Sequence, residues 1–171
     1  MKRTVLLLMT VLLATGSAFA QKYAYVDTEY ILNNIPSYSA AQQQLDDLSQ
    51  SWESEIAALY EEVEQMYRDY QNDVVLLSRE AKVKREEDII NREREAKELQ
   101  NTYFGVEGEL FKKREELIKP LQDDIYNAIK EIAVEGAYAV IFDTASGMNM
   151  IYTNPRYDIS DEVLQKLGYK N

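Results

Sequence analysis

The sequence contains no cysteine and no histidine among its 171 residues, and it has only three prolines and six glycines. Without cysteine, disulfides, thiolate nucleophiles and zinc ribbons are excluded. Without histidine, a serine–histidine triad, a histidine metal cluster and a side chain that titrates naturally near neutral pH are also excluded. An enzyme built from this sequence has to work with carboxylates, lysine, tyrosine or serine. The composition therefore argues against an enzyme, and we expect no cofactor and no metal site.

A basic and then apolar stretch opens the chain. Lys2 and Arg3 precede an apolar run over residues 5–14, and residues 16–20 end in the A-x-A pattern that signal peptidase cleaves. The apolar run is about ten residues long, whereas a membrane-spanning helix needs about 20. A cleaved secretory signal over residues 1–20 is therefore predicted. No other segment approaches spanning length, and no stable membrane insertion is expected.

Acidic residues dominate the remainder of the chain. The whole sequence has 19 Lys and Arg against 30 Asp and Glu, a net charge of −11. Removal of Lys2 and Arg3 with the signal leaves 17 basic and 30 acidic residues, a net charge of −13. Because such a chain repels polyanions overall, nucleic acid and anionic lipid surfaces are not expected partners.

A long helical zone occupies residues 37–135, with no proline before Pro120 and no glycine before Gly105. In its first part, apolar residues recur at steps of three and four, as in an amphipathic helix with a narrow coiled-coil seam. These residues are Leu45, Leu48, Trp52, Ile56, Leu59, Val63, Met66, Tyr70 and Val74. The pattern breaks after Val74 and resumes from Ile89. Two helices that meet near residues 76–80 are therefore predicted to form an antiparallel hairpin with arms of about 60 Å.

The two ends of the chain, residues 21–36 and 136–171, have the character of a small β body. Residues 22–27 and 138–143 are rich in aromatic and β-branched residues and are predicted to be strands, the second of them buried. Residues 150–152 are predicted to be a third strand. Because so few strands leave apolar faces and sheet edges exposed, we expect the chain to oligomerise.

Three local signals delimit the helices around this body. Pro36 suits the first turn of the outgoing helix, Gly136 suits a left-handed residue just past the returning helix, and Ser160 suits the N-cap of a final short helix. The predicted fold class is α+β: a long antiparallel α-helical coiled-coil hairpin that projects from a small β-strand body.

Both ends of the chain resemble the OmpH/Skp family of periplasmic chaperones. The motifs that carry the resemblance are residues 23–27 followed by 28–32 and the Ile35-Pro36 break, then Lys119-Pro120-Leu121, residues 136–143, Ile151-Tyr152 and residues 158–164. The arm matches this family only as a long coiled-coil region.

The resemblance implies a homotrimer in which strands from three chains build a trimerisation body and three helical hairpins surround a cavity. It also implies a periplasmic, ATP-independent holdase for unfolded outer-membrane proteins, with no catalysis and no cofactor. The best-known members of the family are basic, whereas this chain is acidic. No lipopolysaccharide site is therefore carried over.

Three sets of residues are candidates for function. The trimer body is predicted to include Tyr25, Val26, Tyr138, Val140, Ile141, Phe142 and Ile151. Contact with unfolded clients is predicted for the apolar and aromatic Tyr67, Leu76, Leu77, Phe104 and Phe111 and for the basic Arg79, Lys82, Lys84 and Arg85. Hinges are predicted at Gly105, Gly108 and Pro120.

Each set also has a plainer interpretation. The basic residues of the arm are also typical of a solvated helix that carries i,i+4 ion pairs. A helical stripe of apolar residues is in large part the seam between two helices, and a helical glycine can serve a close approach of two helices. Carboxylate clusters such as Asp46-Asp47 and Asp123-Asp124 are interpreted as a solvated acidic face, because neighbouring helical residues point in different directions and no calcium loop is present.

Three functions remain for such a chain. A holdase for unfolded outer-membrane proteins is the leading hypothesis. The alternative is a structural or scaffolding coiled-coil protein of the cell envelope, which predicts a filled and continuous seam. A carboxylate-based hydrolase is the third, and no active site is visible for it in the sequence.

Overall fold

The computed structural model describes residues 21–147 and 150–169, so the predicted signal over residues 1–20 lies outside the described residues. In chain order the elements are strand β1 (Lys22–Val26), helices α1 (Thr28–Asn33), α2 (Pro36–Asp73), α3 (Arg79–Phe104) and α4 (Glu109–Glu135), strand β2 (Tyr138–Asp143), a 3-10 turn (Pro155–Tyr157) and helix α5 (Ser160–Lys166). The structure therefore has the predicted class, a long helical hairpin on a small sheet.

The small body brings the two ends of the chain together. Strands β1 and β2 pair in parallel, with Ala24 opposite Ile141 and Tyr25 opposite Phe142. Parallel neighbours need a crossover connection, and here the whole helical arm is that connection. One core cluster lies between this sheet and the helices α1, α4 and α5, and consists of Ala24, Val26, Ile31, Ile35, Ile125, Ala128, Ile132, Ile159, Val163 and Leu164.

Short polar contacts fix the junction between the body and the arm. The side chain of Asp27 caps α1 by accepting a hydrogen bond from the backbone N–H of Tyr30 at 2.9 Å. Asp143, at the end of β2, accepts hydrogen bonds from the backbone and the hydroxyl of Thr28. Because each bond satisfies a group near a helix or strand end, helix α1, which leads into the arm, is tied to both strands.

The arm begins at Pro36, which occupies the first turn of α2 as predicted. Helix α2 has 38 residues, a length of about 57 Å at 1.5 Å per residue. Helix α3 returns alongside it after a turn over residues 74–78, and the side chain of Ser78 caps α3 by accepting from the N–H of Ala81. The hairpin and the position of its turn therefore agree with the apolar periodicity.

The return half of the arm is two helices, not the single helix that we expected. Helix α3 ends at Phe104 and α4 begins at Glu109, with Gly105 and Gly108 as the flanking residues. A Cβ atom on Gly108 would lie 2.7 Å from the carbonyl oxygen of Tyr103, and one on Gly105 would collide with the carbonyl oxygen of Asn101. Glycine is needed on both sides because the backbone folds back closely on itself here.

Two of the strand predictions are wrong for the single chain. Residues 150–152 form no strand in the described part of the chain, and the only partner of the outer edge of β1 there is a single bridge from Tyr25 to Asp158. Ile151 is fully exposed because neither strand edge meets it. Strand β2 is half-buried instead of buried, and Ala139 and Val140 are exposed, since no helix among the described residues covers that part.

Two of the capping predictions are also wrong. Ala137, and not Gly136, has the positive φ, at 52°, so the left-handed residue falls one position later than predicted. Ile159 is the N-cap of α5, and Ser160 is buried inside the first turn. The hydroxyl of Ser160 donates to Asp158 and accepts from the backbone N–H of Asp27, which links α5 to β1 instead of capping the helix.

Candidate functional site

The outer surface of the body is apolar and aromatic. A groove of about 660 Å³ runs between the two strands and residues 150–157, and its walls include Tyr23, Tyr25, Tyr138, Phe142, Met150, Tyr152 and Tyr157. Lys22 lies over the ring of Tyr138, with Nζ 5.2 Å from the ring centre, an arrangement that orders the rim of the groove through a cation–π contact. The groove gathers residues from both ends of the sequence.

The residues predicted for the trimer body fall on two faces of the sheet. Tyr25, Tyr138 and Phe142 line the groove, and Val140 and Ile151 are exposed. Val26, with 2% of its surface exposed, lies inside the core of the single chain, and Ile141 packs against the same core. These two residues therefore stabilise the protomer, and Tyr138 packs against the same core while it also lines the groove.

The far end of the arm carries exposed apolar residues beside unpaired cations. Val75 and Leu76 are 87% and 85% exposed, while Leu77 is half-buried. The basic side chains that follow, Arg79, Lys82, Lys84 and Arg85, make no ion pair with any described residue. By contrast, ion pairs hold Arg68, Arg92, Arg94 and Lys97 farther along the arm. We call residues 74–85 the tip.

The aromatic residues predicted to contact clients differ in how far they are exposed. Tyr67 and Phe111 are about half exposed on the arm surface. Phe104 is instead half-buried, with its ring edge-on to Trp52 at 6.3 Å between centres. Trp52 also stacks on Tyr103 at 4.6 Å. Phe104 thus belongs to an aromatic cluster at the break in the return helix.

Polar contacts across the hairpin are a feature that sequence reasoning missed. Tyr103 donates to Glu55 at 2.9 Å, Tyr70 donates to Glu86, and Tyr60 donates to Gln100. Hydrogen bonding to the carboxylates of Glu55 and Glu86, with smaller contributions from burial, raises the pKa of Tyr103 and of Tyr70 above the ordinary tyrosine value. The two residues of each pair lie at about equal sequence distances before and after the turn. Once the turn has been located in the sequence, these pairs can therefore be identified.

A cleft of about 620 Å³ opens between α2 and α3 in the middle of the arm. Ala58 and Thr102 are among the residues that line it, and Leu59 and Leu99 contribute apolar walls. Four carboxylates and one cation form the rim: Glu55, Glu62, Glu95, Glu98 and Arg92. Arg92 bridges Glu62, with its Nε at 3.0 Å, and Glu95 at 2.6 Å, and these hydrogen bonds raise the pKa of Arg92. We call this the mid-arm cleft.

The described residues hold no reaction centre that we can identify. No group of three or more Asp or Glu side chains among them is arranged to hold a metal ion. No helix in the described part of the chain is long and apolar enough to cross a membrane. The arrangement of groove, tip and cleft is suited to contact with other polypeptides.

The predicted hinge residues occupy two places on the return side. Gly105 and Gly108 flank the break, where Val106 is almost fully exposed. Pro120 lies within α4, and the helix continues through it to Glu135. Motion at these positions stays a prediction.

Comparison with known proteins gives a consistent answer. The family model described as Outer membrane protein (OmpH-like) matches residues 22–167. A solved structure of a candidate outer membrane chaperone (OmpH-like) from Caulobacter crescentus CB15 superposes with a TM-score of 0.68 and 12% identity, over 90% of this chain and 87% of that one. No curated protein matches the sequence.

The family match spans both ends of the body and the whole arm, and the solved structure shares the fold. The chain belongs to the OmpH-like family.

Proposed function

We propose that this protein is an ATP-independent holdase chaperone for unfolded outer-membrane proteins. The observation that carries the proposal is a helical arm of about 57 Å on a body whose outer sheet surface is apolar and exposed. Such an arm has a large surface for its mass, and its described residues include no carboxylate group arranged to hold a metal ion. Membership of the OmpH-like family supports a chaperone role for this geometry.

The working form that we propose is a homotrimer joined through residues 23–27, 138–143 and 150–152. The groove between the strands, the exposed Val140 and the fully exposed Ile151 support this assembly. An apolar surface of this kind on a sheet with open edges is unfavourable in water and is stabilised when a second copy covers it. Three arms would then surround a shared cavity.

Clients would be held in that cavity by many weak contacts. Tyr67, Phe111 and the tip residues Val75 and Leu76 offer exposed apolar and amphipathic surface. Burial of such surface contributes about 25 cal/mol per Å², so several partial contacts suffice to slow aggregation without fixing one client conformation. The signal predicted over residues 1–20 supports a periplasmic location for this proposed activity.

An aggregation assay tests the proposal. A urea-denatured outer-membrane β-barrel is diluted into buffer with and without the mature chain, and light scattering is followed over time. We expect suppression at a small molar excess of trimer and no dependence on ATP. Undiminished scattering at large excess contradicts the holdase. A stable monomer at micromolar concentration contradicts the trimer alone.

The scaffold alternative makes a different prediction for the arms. A scaffold requires a filled, continuous seam, whereas the break at residues 105–108 and the mid-arm cleft support arms that move separately. Spin labels at residue 80 of different subunits should give a broad distance distribution. One short, sharp distance would identify a zipped scaffold.

A further inference from the structure

We propose that the arms of two separate molecules bind each other, with the tip of one arm seated in the mid-arm cleft of the other. The two surfaces belong to the same chain but lie apart on the arm. Along α2, the cleft residue Leu59 is separated from the end of the helix at Asp73 by roughly 20 Å. A single hairpin cannot bring its own tip to its own cleft, so the partner is a second copy.

Charge complementarity is the first argument. The tip presents Arg79, Lys82, Lys84 and Arg85 without an acidic partner among the described residues. The rim of the cleft has four carboxylates. Arg92 pairs with Glu62 and Glu95, and Arg94 pairs with Glu98 at 3.9 Å. These two cations offset part of the charge, and the rim keeps a net negative charge. Opposite potentials on two surfaces steer encounter and fix the orientation of docking.

Apolar complementarity is the second argument. The tip carries Val75 and Leu76, both more than four-fifths exposed. The cleft has walls of Ala58, Leu59 and Leu99 and a volume of about 620 Å³, within the usual size range of ligand pockets. An apolar turn flanked by cations would thus meet a cleft with partly apolar walls and carboxylates at its rim.

Symmetry is the third argument. If two arms lie antiparallel, the tip of the first reaches the cleft of the second while the tip of the second reaches the cleft of the first. Such an interface is isologous, because the same two patches are used by both copies. Each pair of arms therefore makes the contact twice, and the second contact is intramolecular once the first has formed.

Charge reversal on each side tests the inference with the mature full-length chain. In the tip variant, Lys82→Glu and Arg85→Glu are combined; in the cleft variant, Glu95→Lys and Glu98→Lys are combined. Arg114→Glu with Lys130→Glu is the matched control for the tip variant, because both cations lie on α4, away from the tip, and make no ion pair with any described residue. Circular dichroism checks that each variant is folded.

Sedimentation velocity over a concentration series, at low and at high salt, measures association beyond the proposed trimer. We expect association of the parent protein that weakens as salt screens the contact. Each charge-reversed variant alone should lose about tenfold or more in affinity, because the attraction between tip and cleft is then cancelled or reversed. An equimolar mixture of the two variants should recover parental affinity, since every tip again meets an opposite cleft. The control should associate like the parent.

Three results overturn the inference: no association of the parent, a mixture that stays dissociated, or a control as weak as the tip variant. Vesicles containing phosphatidylglycerol, and a denatured β-barrel, are titrated in parallel. Tip-dependent binding to either probe without self-association of the parent would assign the tip to lipid or to client. The inference does not depend on the holdase activity, which the aggregation assay measures separately.

Discussion

Side chains on opposite faces of the two strands have different tasks. On β1, Ala24 and Val26 are buried, whereas Tyr25 between them lines the outer groove. On β2, Ile141 packs against the core and the next residue, Phe142, lines the groove. This follows from the twofold alternation of a strand. Neighbouring residues on each strand therefore have different roles: one contributes to the stability of the protomer, and the next lies in the proposed assembly interface.

Substitution of these neighbours should separate the two tasks. Ile141→Asp places a charge against the core, and we expect a loss of about 2–4 kcal/mol in the free energy of unfolding. Phe142→Asp places its charge in the open groove, and we expect a folded chain that no longer assembles. Thermal unfolding and light scattering after size exclusion measure the two effects. Glu61→Ala, on the exposed surface of α2, should change neither; an assembled Phe142→Asp variant would contradict the proposed interface.

Among the secondary-structure elements, the sequence best predicts those in which the apolar periodicity is long and uninterrupted. The apolar steps of three and four over α2 predicted that helix and the turn after it, and the aromatic and β-branched residues at both ends of the chain predicted β1 and β2. The third strand failed because residues 150–152 lack a partner within one chain. The mid-arm cleft was missed because it depends on which side chains face each other across the hairpin, and this requires the register between two helices.

The break between α3 and α4 depends on its glycines. Gly108→Ala sets a Cβ atom 2.7 Å from the carbonyl oxygen of Tyr103, and the backbone has to shift to relieve this overlap. We expect a loss of about 1–3 kcal/mol in the free energy of unfolding, measured by urea denaturation. Glu107→Ala, at an exposed site in the same segment, should be nearly neutral. Equal stability of the two variants would mean that the segment rearranges freely.

The tyrosine–carboxylate contacts of the arm predict an alkaline transition. Hydrogen bonding to Glu55 raises the pKa of Tyr103 above 10.0, its ordinary value. Its contribution to stability is therefore fully present below pH 10 and is lost as the pH rises through the higher folded-state pKa. Thermal unfolding followed across this range should show a smaller alkaline loss for Tyr103→Phe than for the parent. Tyr126→Phe, which removes an exposed hydroxyl that makes no hydrogen bond with a described residue, should follow the parent.

For the whole molecule, net charge bears on how the proposed clients would be captured. Without the predicted signal, the chain has 17 basic and 30 acidic residues, a net charge of −13, so long-range attraction is not expected to draw acidic barrels toward it. Exposed charges farther apart than about 8 Å are screened at physiological ionic strength. The unpaired cations of the tip act only locally. Apolar contact is therefore expected to dominate capture.

The affinity for a denatured barrel should consequently fall only modestly, by less than about tenfold, between low and physiological salt. Neutralising Arg79, Lys82, Lys84 and Arg85 together to glutamine should slow association more than it speeds release, since surface charge mainly affects encounter rates. Stopped-flow fluorescence with a labelled barrel measures both rates. A hundredfold loss of parental affinity over the same salt range would show that electrostatic attraction, and not apolar contact, dominates the binding of the barrel.

The parallel pairing of β1 with β2 determines the order in which the chain can fold. The two strands are adjacent in space but lie at opposite ends of the arm sequence, and Ile159, Val163 and Leu164 complete their core from still farther along. The helical hairpin has mostly local contacts and forms early, whereas the body has to await closure of this long loop. We therefore expect an emerging chain to acquire its arm before its sheet, and the proposed assembly of subunits to follow only after residues 159–164 have been released.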